Sequence, residues 1–91
     1  MNDYLVETVD TMNGIQKIYK FENGYGASVI CHDGSYGGPY KKNGPNLWEI
    51  APWNEDKEFI GVSMLEWNDD VRGHLTDPEI DRILRKLQRI L

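Results

Sequence analysis

One glycine-rich segment gathers the side chains of this sequence best suited to meeting a ligand. Residues 33–46 read Asp-Gly-Ser-Tyr-Gly-Gly-Pro-Tyr-Lys-Lys-Asn-Gly-Pro-Asn. Tyr36 and Tyr40 offer rings that can stack on bases or pack on a protein, and Lys41 and Lys42 offer cations for phosphate groups. Trp53 follows close behind. Four glycines and two prolines in fourteen residues forbid regular structure. A long structureless segment inside a small domain is either a binding loop or a plain connector. It lacks the Gly-Lys-Ser/Thr ending of a phosphate-cradling loop, so nucleotide hydrolysis is not supported. Gly24-Tyr25-Gly26 looks like part of a dinucleotide fingerprint, but it lies between two strands and does not open a helix.

Catalytic and metal chemistry find weaker footing. Cys31 and His32 are neighbours on a strand, so their side chains point to opposite faces and cannot act as nucleophile and base together. His74 meets Cys31 only if the turn before the last helix folds back over the sheet. A packed structural cysteine is the simpler reading. His32, Asp33, Asp69, Asp70 and His74 are ligand types with no diagnostic spacing, and Asp69-Asp70 reads as a turn cap. No motif calls for a metal or any other cofactor. Arg82, Arg85, Lys86 and Arg89 form a basic stripe on the last helix. A partner rich in phosphate or carboxylate could use it, but bases at a helix end also simply match the helix dipole.

The elements that carry these residues follow from patterning. Strands are expected at about 4–9, 15–22, 25–32, 47–51 and 58–67, with Gly61 marking a bulge in the last. Asp10 to Gly14 is a turn; a five-residue loop there sets Glu7 opposite Lys17, whereas a tight turn on Asn13-Gly14 would shift that register. Asn23-Gly24 fits a two-residue hairpin turn, which sets Tyr19 opposite Ser28, Ile18 opposite Val29 and Phe21 beside Gly26. Pro52 ends the fourth strand or marks an edge. Asn68 to Gly73 reads as a turn. Thr76-Asp77-Pro78-Glu79 fits a capping box, and Ile80, Ile83, Leu84, Leu87, Ile90 and Leu91 follow at helical spacing, predicting a helix over 77–91. The expected fold is α+β, a mostly antiparallel sheet of about five strands in the order β-β-β-β-β-α, with one amphipathic helix on one face.

In that register one hairpin face carries Ile15, Tyr19, Phe21 and Ile30, and the other carries Ile18, Tyr25, Ala27, Val29 and Cys31. Both are apolar, and one helix covers only one face. Either the sheet curls strongly over itself, or the uncovered face binds something, most simply a second copy.

The 91 residues make one domain, and 40% hydrophobic content with ten aromatics belongs to a globular chain. The net charge of -5 disfavours general binding to a nucleic-acid backbone. Residues 1–75 carry twelve acidic and six basic groups, residues 76–91 three and four. The single cysteine excludes an internal disulfide. With no apolar run of membrane length and no signal-peptide pattern, a cytoplasmic setting and no membrane partner are expected.

The runs Phe21-Glu-Asn-Gly-Tyr-Gly-Ala-Ser-Val-Ile30, Leu47-Trp48-Glu49-Ile50-Ala51 and Asp70-Val71-Arg72-Gly73-His74-Leu75-Thr76 resemble a group of small uncharacterised bacteriophage and prophage proteins. The resemblance covers most of the chain and rests on structural elements. It implies an origin and an intracellular setting, and carries over no active-site residue. The loop at 39–46 is longer here than the resemblance leads one to expect.

The first functional expectation is a non-enzymatic interaction protein that binds a host or viral macromolecule, with a role in host takeover or counter-defence. Its contact surface would be the open sheet face with Tyr19 and Phe21, joined by Tyr36, Tyr40, Lys41, Lys42 and Trp53. The alternative is a nucleotide or single-stranded nucleic-acid binding module using loop 33–46 and the basic patch Arg82, Arg85, Lys86 and Arg89. An enzyme built on Cys31 or on a His-Asp metal site is the weakest reading.

Overall fold

The computed structural model describes residues 4–11 and 13–90. Five antiparallel strands follow one another across a single sheet in chain order: β1 Leu5–Thr11, β2 Gly14–Lys20, β3 Gly26–Cys31, β4 Trp48–Trp53 and β5 Arg72–Leu75. The helix α1, Asp77–Gln88, closes the described chain. This is the α+β arrangement expected. The sheet does not close on itself: β1 and β5 are its two edges.

The β2–β3 hairpin turns through three residues where two were expected. Phe21 and Tyr25 pair, the Gly24 N–H donates to the Phe21 carbonyl (3.0 Å), and Gly24 alone takes the left-handed conformation at φ 89°. That is a type I turn closed by a glycine bulge. The extra residue slips the register by one, so Tyr19 faces Ala27, Ile18 faces Ser28 and Lys17 faces Val29. A slip of one exchanges the faces of one strand relative to its neighbour. Ile15, Tyr19 and Phe21 therefore share a face with Tyr25, Ala27, Val29 and Cys31, while Ile18 and Ile30 share the other. The β1–β2 turn is also tighter than the five-residue loop, since Thr11 pairs with Gly14. Glu7 consequently faces Ile18, and Thr8 takes the place opposite Lys17.

The first face is the core. Tyr19, Val29, Cys31, Trp48, Ile50 and Leu75 lie buried beneath Ile80, Leu84 and Leu87 of α1. Burying a leucine completely contributes about 1.5–3 kcal/mol, so the helix stripe is a main source of stability. Thr76 accepts from the Glu79 N–H and the Glu79 carboxylate accepts from the Thr76 N–H at 3.0 Å, the expected capping box. The helix ends at Gln88, short of the expected 91; Ile90 is half-buried against the core, and Leu91 lies outside the described residues. The Trp48 indole N–H donates to the Asp77 carboxylate at 2.5 Å, joining β4 to the helix start.

The strand expected over 58–67 does not form. Phe59 makes a single bridge to Trp53, the Ile60 N–H donates to the Pro52 carbonyl, and the chain then turns, Met64 N–H and Leu65 N–H both donating to the Ile60 carbonyl. Gly61 explains the turn. It is buried, and a Cβ there would sit 2.6 Å from the Asp69 carbonyl oxygen and 2.7 Å from Asp70 Cα. The fifth strand forms at Arg72–Leu75, within and just after the segment read as a turn. Pro52 lies inside β4 with its carbonyl toward Ile60, so the N–H it lacks would point away from β3 and costs that ladder nothing.

Candidate functional site

The structure separates the residues that sequence reasoning grouped. Tyr19 and Phe21 are each 5% exposed and belong to the core, not to an open face. The register slip placed them there, and Phe21 packs its ring 5.2 Å from that of Tyr4. Burial first, then the Asp81 and Asp77 carboxylates, raises the Tyr19 hydroxyl above the usual tyrosine range. Tyr40 is half-buried with its ring 6.5 Å from that of Trp48. Tyr36, Lys41 and Lys42 are exposed.

The loop 33–46 is fastened along its length. The Ser35 hydroxyl accepts from the His32 N–H, and the Ser35 N–H donates to the His32 carbonyl. The Tyr36 N–H donates to the Glu49 carboxylate (3.2 Å), while its carbonyl accepts from the His74 N–H, which ties the loop to β4 and β5. The Asn46 side chain grips both backbone groups of Lys41, accepting at 2.6 Å and donating at 2.9 Å. The glycines allow these close approaches: a Cβ at Gly38 would lie 1.8 Å from the His32 carbonyl oxygen.

The face of the sheet away from α1 has no cover from the described residues. Ile18 of β2, Ile30 of β3, and Ala51 and Trp53 of β4 project there and floor an open groove of about 560 Å³. Phe59, 56% exposed, stands at its rim beside Trp53. Every residue lining it is half-buried or exposed. Trp53 lies across β3 where Gly26 gives it room, since a Cβ at Gly26 would meet the indole nitrogen at 2.6 Å.

The polar groups of the groove are largely engaged. Gln16 donates its amide to the Ser28 hydroxyl at 2.8 Å. The His32 Nδ1 accepts from the Gly34 N–H, and Glu49 holds the loop. The ionisable groups that line it are Lys20 and Lys57 toward the Trp53 end, and Glu49 and His32 toward the other. Of the residues expected to contact a partner only Trp53 belongs to the groove. Ile18, Ile30, Ala51 and Phe59 were not singled out as contact residues, because the register that gathers them depends on the turn type.

The basic patch is exposed on α1, where Arg82, Arg85, Lys86 and Arg89 stand together with Ile90, and Arg85 pairs with Asp81 at 2.8 Å. Lys41 borders Thr76, Asp77 and Pro78 at the acidic start of the same helix. The loop and the stripe therefore flank opposite ends of α1. Cys31 is wholly buried, and burial, with Asp77 adding, raises its thiol above the ordinary value. Among the described residues no three His, Cys, Asp or Glu side chains are grouped to hold a metal. Asp70 accepts from the Val62 N–H and Asp69 from the Asp70 N–H, as turn caps. No helix of the described residues is long and apolar enough to cross a membrane.

Comparison with family models, curated proteins and solved structures returns no match. The fold class and the groove are the ground on which a function can be argued.

Proposed function

We propose that this chain is a small non-enzymatic interaction protein that works by holding a macromolecule against the open face of its sheet. The observation that carries this reading is the apolar floor of the half-buried Ile18, Ile30, Ala51 and Trp53, with the exposed Phe59 at its rim, on the face opposite the one that α1 covers. An open groove with an apolar floor and a few polar groups at its edge is the form that binding sites commonly take. The engaged polar groups around it support the same reading, because they can be covered without losing their partners. The resemblance to phage proteins suggests the setting: the cytoplasm of an infected bacterium, a host or viral macromolecule as partner, and host takeover or counter-defence as the role. Binding of single-stranded nucleic acid has less support, since the net charge is -5 and the basic stripe lies on the helix, away from the groove.

The test is affinity capture from a host lysate containing the phage proteins. Wild-type protein should retain a specific macromolecule, and Ile30→Glu should lose it while unfolding at a similar temperature. A captured partner indifferent to Ile30→Glu contradicts the proposal.

A further inference from the structure

We propose that Asn43 is a site of spontaneous backbone chemistry, at which the Gly44 nitrogen displaces the Asn43 side-chain amide and water then leaves an aspartate or isoaspartate. The chain holds three Asn-Gly pairs, Asn13-Gly14, Asn23-Gly24 and Asn43-Gly44. With no Cβ on the second residue, its nitrogen can approach the side-chain Cγ of the first without a clash. The fold treats the three pairs differently. The Asn23 amide nitrogen reaches the Leu87 and Ile90 carbonyls at 2.9 and 2.7 Å, its oxygen accepts from the Tyr25 N–H, and a Cβ on Gly24 would lie 2.7 Å from that of Glu55. Asn13 donates to the Asp33 carboxylate at 2.9 Å, and a Cβ on Gly14, which pairs with Thr11 in the sheet, would collide with the Cys31 carbonyl oxygen. Asn43 is exposed, and its side chain has no hydrogen-bond partner among the described residues. Gly44 has room around it, since the nearest atom to a Cβ there would be the Asn46 nitrogen at 3.7 Å. The Gly24 and Gly44 N–H groups each close a turn, onto the Phe21 and Lys41 carbonyls, so that bond does not separate the two sites. Side-chain restraint and free space do.

The Gly44 nitrogen bonds to Asn43 Cγ as the Cγ–Nδ2 bond breaks, and the proton it loses leaves on the departing ammonia. The product is a cyclic imide. Water then adds to one of its two carbonyls, the C–N bond there breaks, the nitrogen regains a hydrogen, and the new carboxyl group ionises. Opening at the side-chain carbonyl gives aspartate. Opening at the main-chain carbonyl gives isoaspartate, whose backbone is one carbon longer. The imide nitrogen carries no hydrogen, so the turn bond to the Lys41 carbonyl is lost at that stage. The longer isoaspartyl backbone then displaces Asn46, whose side chain holds both backbone groups of Lys41. Conversion of Asn43 therefore loosens the loop around Lys41. The open sheet face is not involved, so its reading as a contact surface stands or falls separately.

Incubating the folded protein in mildly alkaline buffer made with heavy-oxygen water, followed by peptide mapping, tests the proposal. The peptide bearing Asn43 should take up heavy oxygen first, in aspartyl and isoaspartyl forms. Asn23 should convert at least about tenfold more slowly, because its hydrogen bonds must open before the nitrogen can attack. In urea the three sites should convert at similar rates. Hydrogen exchange at the Lys41 N–H should be faster in converted than in fresh protein. Conversion of Asn13 or Asn23 as fast as Asn43 in the folded protein overturns the proposal, and so does an Asn43 that stays intact while the urea-treated chain converts. An unchanged exchange rate at Lys41 overturns the loosening of the loop.

Discussion

Asn23, at the tip of the β2–β3 hairpin, donates its side-chain amide to the carbonyl of Leu87 in the last turn of α1 at 2.9 Å. The same nitrogen reaches the Ile90 carbonyl at 2.7 Å, while the amide oxygen accepts from the Tyr25 N–H at 3.0 Å. One side chain therefore shapes the hairpin and adds a donor to the Leu87 carbonyl, which the Ile90 N–H also reaches at 3.3 Å, tying the hairpin tip to the end of α1. Asn23→Ala should cost about 1–2 kcal/mol. Asn23→Asp keeps the acceptor but sets a carboxylate against carbonyl oxygens at the negative helix end, so it should cost at least as much. Urea unfolding measures both. Wild-type stability in Asn23→Asp would remove the helix-capping role.

Gly26 is the floor on which Trp53 rests. Its Cβ position lies 2.4 Å from the Tyr19 carbonyl oxygen as well as 2.6 Å from the Trp53 ring, so backbone and indole would both have to move. Gly26→Ala should destabilise by about 1–3 kcal/mol, as overpacking does, and should shift Trp53 in the groove. Thermal unfolding reads the first effect, and loss of partner binding in the folded protein reads the second. A stable variant that binds normally would contradict the packing described.

Cys31 is a packed, protonated thiol. Its raised pKa and complete burial predict that a thiol reagent modifies it slowly in the native protein, and rapidly once urea unfolds the chain. Rapid labelling of the folded protein at pH 7 would return Cys31 to the list of reactive groups.

Stability should fall at alkaline pH. Tyr19 and Cys31 both have pKa values raised by folding. Folded protein thus holds their protons more tightly than unfolded protein does. Their contribution is complete below the unfolded values and is lost as pH rises through the folded ones. Unfolding free energy should begin to drop near pH 9–10, where free thiols and phenols titrate. Tyr19→Phe should make that decline shallower. An unchanged slope in Tyr19→Phe would show that the hydroxyl does not contribute.

At acid pH the direction reverses. The Glu79 carboxylate, held by the backbone N–H and then the hydroxyl of Thr76, has a lowered pKa. Its contribution is present above the unfolded value and is lost as pH falls through the folded one. Glu79→Gln should therefore be less sensitive to pH between about 5 and 3, where free glutamate titrates. Equal acid sensitivity in the two proteins would contradict the capping box as a source of acid dependence.

The first four strands, the helix and its cap were legible in local pattern, because β-branched runs, turn residues and Thr76 with Glu79 act over a few positions; the fifth strand was expected at 58–67 and forms instead at Arg72–Leu75. The faces of the sheet were not. Asn-Gly suits a two-residue turn, but Asn23 has its partner carbonyls more than sixty residues away, and Gly24 alone takes the positive φ. One residue in a turn thus moved Tyr19 and Phe21 from the expected contact face into the core. The strand at 58–67 failed for a similar reason: the close approach of Gly61 to Asp69 and Asp70 is a tertiary fact with no local signature. Trp53 was found because an aromatic beside a glycine-rich loop is conspicuous. Ile30 was placed on the face of Tyr19 and Phe21 and Ile18 on the opposite one, and only the observed register brings the two together as the floor of a groove.

The central claim is that the open sheet face, with Phe59 at its rim, is a contact surface. A photoreactive benzophenone side chain at position 59, compared with one at position 86 on the exposed side of α1, tests it most directly. Irradiation in cells making the protein should give a discrete cross-linked macromolecule from position 59 and none from position 86. No adduct at 59, or the same adducts from both positions, would contradict the claim.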